Sequence, residues 1–330
     1  MHFLLLILGL ALIIKSADIL VDSAAKLARR YGVSTFIVGI TVVAFGTSAP
    51  ELAVGIMSGI THTNALTLGN ILGSSMSNLG LIVGLAAVIF PLRVKDTVVR
   101  RELPILLAVQ VMLGFMIWTG QRLSRLEGFI LMATFALFMI YIASDAKKSM
   151  GIQIDIEGDI DTDGDGNRVP PEPADSKQEG LLKLWLFSIL SLAGLFIGGK
   201  LTVDSSTKIA VSFGLSQTLI GLTVVSIATT MPELVTSITA ARKKEPDIVL
   251  GNCIGSNIFN ILLVLGASTA ISPIPIAEPL WFDLISIGVV TVLIFAISAS
   301  RKLLKRPVGI LLLAGYMAYL TVKVYTALAV

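Results

Sequence analysis

The segment GITVVAFGTSAPE, Gly39 to Glu51, returns 182 positions later as GLTVVSIATTMPE, Gly221 to Glu233. The same offset pairs Leu68, Gly69 and Asn70 with Leu250, Gly251 and Asn252, Gly73 and Ser74 with Gly255 and Ser256, and Asn78 with Asn260. Each glutamate lies inside an apolar stretch long enough to cross a bilayer. A carboxylate there costs about 2.5–3.5 kcal/mol on insertion scales, so an ion or a proton should accompany it. Two such acids, mated by an internal repeat, confine the chain to a membrane architecture of two related halves.

Composition agrees. Of 330 residues, 55% are hydrophobic and only 14% charged, against about 25% charged in soluble domains. The net charge of +3 falls in short basic blocks between apolar segments, which is not the pattern of a nucleic-acid binder. A lone cysteine, Cys253, excludes an internal disulfide and a thiolate zinc cluster. His2 and His62 are far apart and read as interfacial side chains. Phe3 to Ile14 lacks a positive leader, and Lys15, Asp18 and Asp22 stand where a cleavage site would be. It is expected to be the first membrane helix.

Apolar runs of spanning length fall at about 3–24, 33–60, 65–90, 103–119, 126–145, 181–200, 214–240, 247–271, 282–299 and 307–327. The expected fold is an all-α polytopic membrane protein of ten transmembrane helices. Basic residues cluster in alternate connections. One set holds Lys26, Arg29 and Arg30; Arg93, Lys95, Arg100 and Arg101; Lys147, Lys148, Arg168 and Lys177; Arg242, Lys243 and Lys244; and Arg301, Lys302, Lys305 and Arg306. The other holds only Arg122, Arg125, Lys200 and Lys208. The positive-inside rule then puts both termini outside and the central loop in the cytoplasm of a cell (plasma or inner) membrane.

Residues 1–149 form one five-helix repeat, 150–180 the cytoplasmic loop, and 181–330 the second repeat. Five is odd, so the second half enters the membrane inverted, and such repeats place substrate at the midplane where the halves meet. Pro50 and Pro232 break helices 2 and 7, freeing carbonyls one turn earlier at Gly46 and Ala228. In lipid a freed carbonyl must find a partner, and a cation is a suitable one.

Glu51 and Glu233 supply charge at this break. Thr47, Ser48, Thr229 and Thr230 precede them by three or four residues, a spacing that would place them on the glutamate's helical face. Ser74 shares a face with Asn78, and Ser256 with Asn260. All donor atoms are oxygens, which suits a hard cation such as Ca²⁺. Two carboxylates balance one divalent ion or two monovalent ones.

At these residues the sequence resembles the cation/calcium exchanger superfamily, in its sodium/calcium exchanger branch with prokaryotic relatives. The resemblance rests on GTSxPE at Gly46–Glu51 and on GNxxGS at Gly69–Ser74 and Gly251–Ser256. It implies that Thr47, Ser48, Glu51, Ser74, Asn78, Thr229, Thr230, Glu233, Ser256 and Asn260 are ligands, with backbone carbonyls from Ala44 and Ser226. It also implies that helices 1 and 6 slide past the other eight. Ala228 and Thr230 replace the motif's Gly and Ser, Ser226 replaces Ala, and Asn260 stands where many members carry Asp. The implied activity is exchange of Ca²⁺ for Na⁺ by alternating access, with proton/calcium exchange as the alternative. No cofactor is expected, only the transported ions. The partners are the lipid bilayer and small cations, and the chain is expected to be monomeric. A channel fits an inverted pair within one chain less well. An enzyme is disfavoured because Ser and Glu have no His or Lys nearby to activate a nucleophile.

The central loop holds DTDGDGNRVPPE, Asp161 to Glu172. Asp161, Asp163, Asp165, Asn167 and Glu172 fit an EF-hand calcium loop, with Gly166 at the sharp turn. Pro170, Pro171 and Pro173 oppose an exiting helix, so the segment reads either as a second calcium loop or as a solvated acidic linker. Lys15 and Asp18, spaced i,i+3 on helix 1, are expected to form a salt bridge or to snorkel to the interface, with a role in helix sliding as the alternative.

Overall fold

The computed structural model describes residues 2–60, 65–120, 122–156, 180–213, 226–276 and 280–328. Its spans are α1 (His2–Tyr31), the bent pair α2 (Thr35–Thr47) and α3 (Ala49–Ile60), α4 (Thr67–Ile89), α5 (Val98–Thr119) and α6 (Arg125–Lys148). They continue with α7 (Leu181–Ile209), α9 (Pro246–Ile271), α10 (Trp281–Arg301) and α11 (Arg306–Thr326), and the shorter helix α8 (Met231–Arg242) lies between α7 and α9 in the chain. Among the described residues, 8 helices are long and apolar enough to cross a membrane, or 9 with the bent pair as one span. The expected run at 214–240 lies partly outside the described residues.

Small residues decide the packing. Apolar side chains gain little by leaving lipid for one another, so helices associate where glycine lets backbones touch. A Cβ on Gly309 of α11 would lie 2.5 Å from Gly84 O of α4, and one on Gly128 of α6 would lie 2.8 Å from Gly266 O of α9. Gly84 and Gly266 are repeat mates, so the same crossing occurs twice. Helices α4 and α9 form the centre: 78% and 94% of their most apolar windows are buried, against 22% for α6 and α11. At the entrance to α6, Ser124 and Glu127 build a capping box, with Ser124 N–H donating to Glu127 Oε2 at 2.6 Å.

Among the described residues, four two-residue strands fix the relation of α5 to α10. They are β1 (Leu92–Arg93), β2 (Arg122–Leu123), β3 (Ile274–Pro275) and β4 (Leu303–Leu304). β1 pairs antiparallel with β4, Leu92 opposite Leu304, and β2 with β3, Leu123 opposite Ile274. Helix α5 runs from β1 to β2, whereas α10 runs from β3 to β4. These repeat-mated helices therefore point in opposite directions.

Asp18 does not pair with Lys15. Its Oδ1 lies 2.6 Å from Lys243 Nζ, which also reaches Asp22 Oδ1 at 2.8 Å and donates to Asp18 O at 2.8 Å. The salt-bridge alternative for Lys15 is not what forms, because Lys243, in the basic turn after α8, engages Asp18 and Asp22 together. A second ion pair is more buried. Asp283, whose side chain is 4% exposed, accepts from Lys323 Nζ at 3.0 Å and from Tyr319 Oη at 2.6 Å. The Lys302–Asp96 pair is more than half exposed on both sides, and Lys302 holds the Asp96 carboxyl below the usual carboxylate range through its hydrogen bond. Removing one partner of a pair costs most where the other stays buried. Lys323→Met should therefore lower the thermal midpoint in detergent clearly, and Lys302→Met should leave it nearly unchanged.

Candidate cation site

Both predicted breaks carry one backbone geometry. Ser48, between α2 and α3, has φ −82° and ψ 3°, and Thr230, ahead of α8, has φ −83° and ψ −1°. The helical turn Ser226–Thr229 precedes Thr230. Across the first break the axis bends by 46°. Pro50 and Pro232 each occupy the second residue of the new helix, where the missing N–H has no intrahelical role. The breaks also converge in space. A Cβ on Gly199 of α7 would lie 3.4 Å from Pro232 Cγ and 3.7 Å from Pro50 Cγ.

Glu51 and Glu233 follow these prolines, each 1% exposed, and they are near enough for their charges to interact. Ser48 Oγ donates to Glu233 Oε1 at 3.3 Å. This corrects the helical-face argument. Because the helix breaks at Ser48, its hydroxyl turns to the acid of the other half instead of its own Glu51.

Thr47, Ser74, Asn78, Thr229, Thr230, Ser256 and Asn260 are all buried. Thr47 Oγ1 lies 3.4 Å from Ser256 Oγ and 3.3 Å from Ala44 O, which also accepts the Ser48 N–H at 3.0 Å. Asn78 is the second residue of the π-helical segment Ser77–Ile82 in α4, and Asn260 opens the segment Asn260–Leu265 in α9. Such bulges recur at functional sites. Among the described residues, both Glu51 oxygens, Glu233 Oε2, Ser74 Oγ, Asn78 Oδ1 and Asn260 Oδ1 have no hydrogen-bond partner. Buried oxygens are seldom left so, and a hard cation, which takes about 6–8 oxygens, is the chemistry that would satisfy them.

The Ser226 side chain and the loop residues Asp161, Asp163, Asp165, Asn167 and Glu172 lie outside what is described. Three residues beyond the predicted set belong to the network. Asn252 bonds to Thr47 and to Ser237, and Asn78 Nδ2 donates to Asn257 Oδ1 at 3.2 Å. The repeat offset marks Asn252 as the mate of Asn70 but says nothing of its partners. Asn257, whose mate is Ser75, carries no repeat signal at all.

A family model described as sodium/calcium exchanger protein matches residues 1–143 and 183–325. The chain belongs to the sodium/calcium exchanger family. Both boundaries of the two matched stretches are separated by the 182-residue offset of the repeat. Within the family, the chain is 37% identical over 322 residues to the inner membrane protein YrbG of Escherichia coli, covering 96% of this chain and 94% of that one. It is 33% identical over 354 residues to the sodium/calcium exchanger MaX1 of Methanosarcina acetivorans, covering 98% and 99%. The solved structure of the sodium-calcium exchanger NCX_Mj soaked with 2.5 mM Na⁺ and 10 mM Sr²⁺ superposes with a TM-score of 0.79 at 28% identity, over 97% of this chain and 99% of that one.

Proposed function

We propose that this exchanger moves Ca²⁺ across the cell membrane in exchange for Na⁺, by alternating access to one site held jointly by Glu51 and Glu233. The reading is supported by two buried carboxylates at repeat-mated helix breaks that come together in space, Ser48 beside the first break donating to Glu233 at the second. Dehydrating a divalent ion inside the bilayer requires compensating charge, and two carboxylates neutralise it. Thr47, Ser48, Ser74 and Asn78 from one half, with Thr229, Thr230, Ser256 and Asn260 from the other, replace its water shell. The Ala44 and Ser226 carbonyls complete the set.

The full architecture we propose has ten spans in two inverted five-helix repeats, residues 1–149 and 181–330, broken at helices 2 and 7. Both termini are outside and the 150–180 loop is cytoplasmic. The opposed directions of α5 and α10 support the inversion. Helices α1 and α7 would slide together past the rest. They meet through glycines: a Cβ on Gly198 would lie 2.9 Å from Gly9 O, and one on Gly9 3.0 Å from Gly198 O. So close a backbone contact lets the pair move as one body.

Calcium-45 uptake into proteoliposomes tests the counter-ion. An outward Na⁺ gradient should drive uptake at constant pH, with K⁺ unable to substitute. Uptake driven by a pH gradient without sodium would replace Na⁺ by protons on the same carboxylates. Flux in neither condition would overturn the antiport reading.

A further inference from the structure

Ser75 and Asn78 lie three residues apart on α4, and Asn257 and Asn260 three apart on α9. All four are 0% exposed. Asn78 Nδ2 donates to Asn257 Oδ1 at 3.2 Å, a bond from one half of the chain to the other. The 182-residue offset maps Asn78 onto Asn260 and Ser75 onto Asn257. The counterpart of this bond is therefore a contact between Asn260 and Ser75. The packing brings their segments together. The part of α4 up to Met76 packs on Asn260–Leu265 of α9, just as Ser77–Ile82 packs on α9 ahead of Asn260. Yet Ser75 Oγ and both ends of the Asn260 amide have no hydrogen-bond partner among the described residues.

The two ends of an amide are chemically unlike. Its carbonyl oxygen can ligate a cation, whereas its NH₂ group donates and is repelled by one. An asparagine that turns Oδ1 to an ion must therefore place Nδ2 on an acceptor, because a buried donor left without one is costly. For Asn78 that acceptor is Asn257 Oδ1. A cation would satisfy Asn260 Oδ1 and leave Nδ2 with nothing. At the repeat-mated place stands the Ser75 hydroxyl, whose oxygen can accept. Among the described residues no other donor competes for it.

We infer that Ser75 is a positioning residue: its oxygen accepts from Asn260 Nδ2 and so turns Asn260 Oδ1 toward the cation, as Asn257 does for Asn78. This rests on the cation site proposed above. Ser74 and Ser75 then have separate tasks, the first as a ligand and the second as the support of a ligand from the other half. Each half orients the asparagine that the other contributes. Neither half alone presents its full set of oxygens.

Equilibrium calcium-45 binding to the full chain in detergent tests the inference. Ser75→Ala should weaken binding about tenfold, the worth of one buried hydrogen bond. Ser75→Cys keeps the volume but accepts only weakly, and it takes the place of the alanine variant if that one does not fold. The decisive readout is the dependence on Asn260. In an Asn260→Ala background, which retains both carboxylates, Ser75→Ala should weaken binding no further, because no amide is left to orient. In an Asn78→Ala background the tenfold loss should persist. Unchanged binding by Ser75→Ala, or a further tenfold loss on top of Asn260→Ala, overturns the role of Ser75 and leaves the cation site standing. No binding by the unaltered protein refutes the cation reading beneath it.

Discussion

Glu51→Gln and Glu233→Gln should each abolish calcium exchange in proteoliposomes while leaving a folded, monodisperse protein. The substitution keeps shape and one carbonyl oxygen but removes a charge. One remaining carboxylate cannot neutralise a divalent ion stripped of water in a site where both acids are 1% exposed. The loss should exceed about a hundredfold, since leaving a buried charge unpaired costs about 3–5 kcal/mol. Folding should survive because neither carboxylate is engaged in an ion pair among the described residues. Glu51→Gln should be the milder of the two for stability, since both Glu51 oxygens lack partners, whereas Glu233 holds the Ser48 hydroxyl.

Gly251→Ala should destabilise the exchanger severely, and Gly69→Ala, at the repeat-mated position, should not. The added methyl at 251 meets backbone on two sides, Phe36 O at 2.6 Å and Ile40 N at 2.8 Å, so α2 must back away from α9. Overpacking of a tight core costs about 1–3 kcal/mol even where side chains can yield, and backbone yields less. The displaced helix carries Thr47, so transport should fall along with the thermal midpoint. At Gly69 no described residue lies within 4 Å of the methyl. Measuring midpoints and calcium-45 uptake for both variants checks the contrast. Equal damage at the two positions would contradict the clash of the 251 methyl with the α2 backbone as its cause.

Much of this was legible in the chain itself because the relevant signals are local or periodic. Continuous apolar runs mark spans, Pro50 and Pro232 mark breaks, and a fixed offset tells which residues are mates. The broken helix appears where Pro50 predicts it, and the family resemblance read from GTSxPE agrees with the family match. What the sequence concealed is tertiary. Repeat symmetry states that Asn252 corresponds to Asn70, but not that one is buried in a network and the other half-buried. Helical spacing put Ser48 on the face of Glu51, whereas the break sends its hydroxyl to Glu233. The same periodicity paired Asp18 with Lys15, and the chain folds it onto Lys243 instead. In each case the true partner lies on a segment whose approach no local pattern encodes.

All of these expectations depend on the two acid side chains grasping a single ion between them. Anomalous diffraction from crystals soaked in strontium addresses that directly. The predicted result is one strong peak in contact with carboxyl oxygens of both Glu51 and Glu233. A peak touching only one of them, or none within the buried chamber, would contradict it.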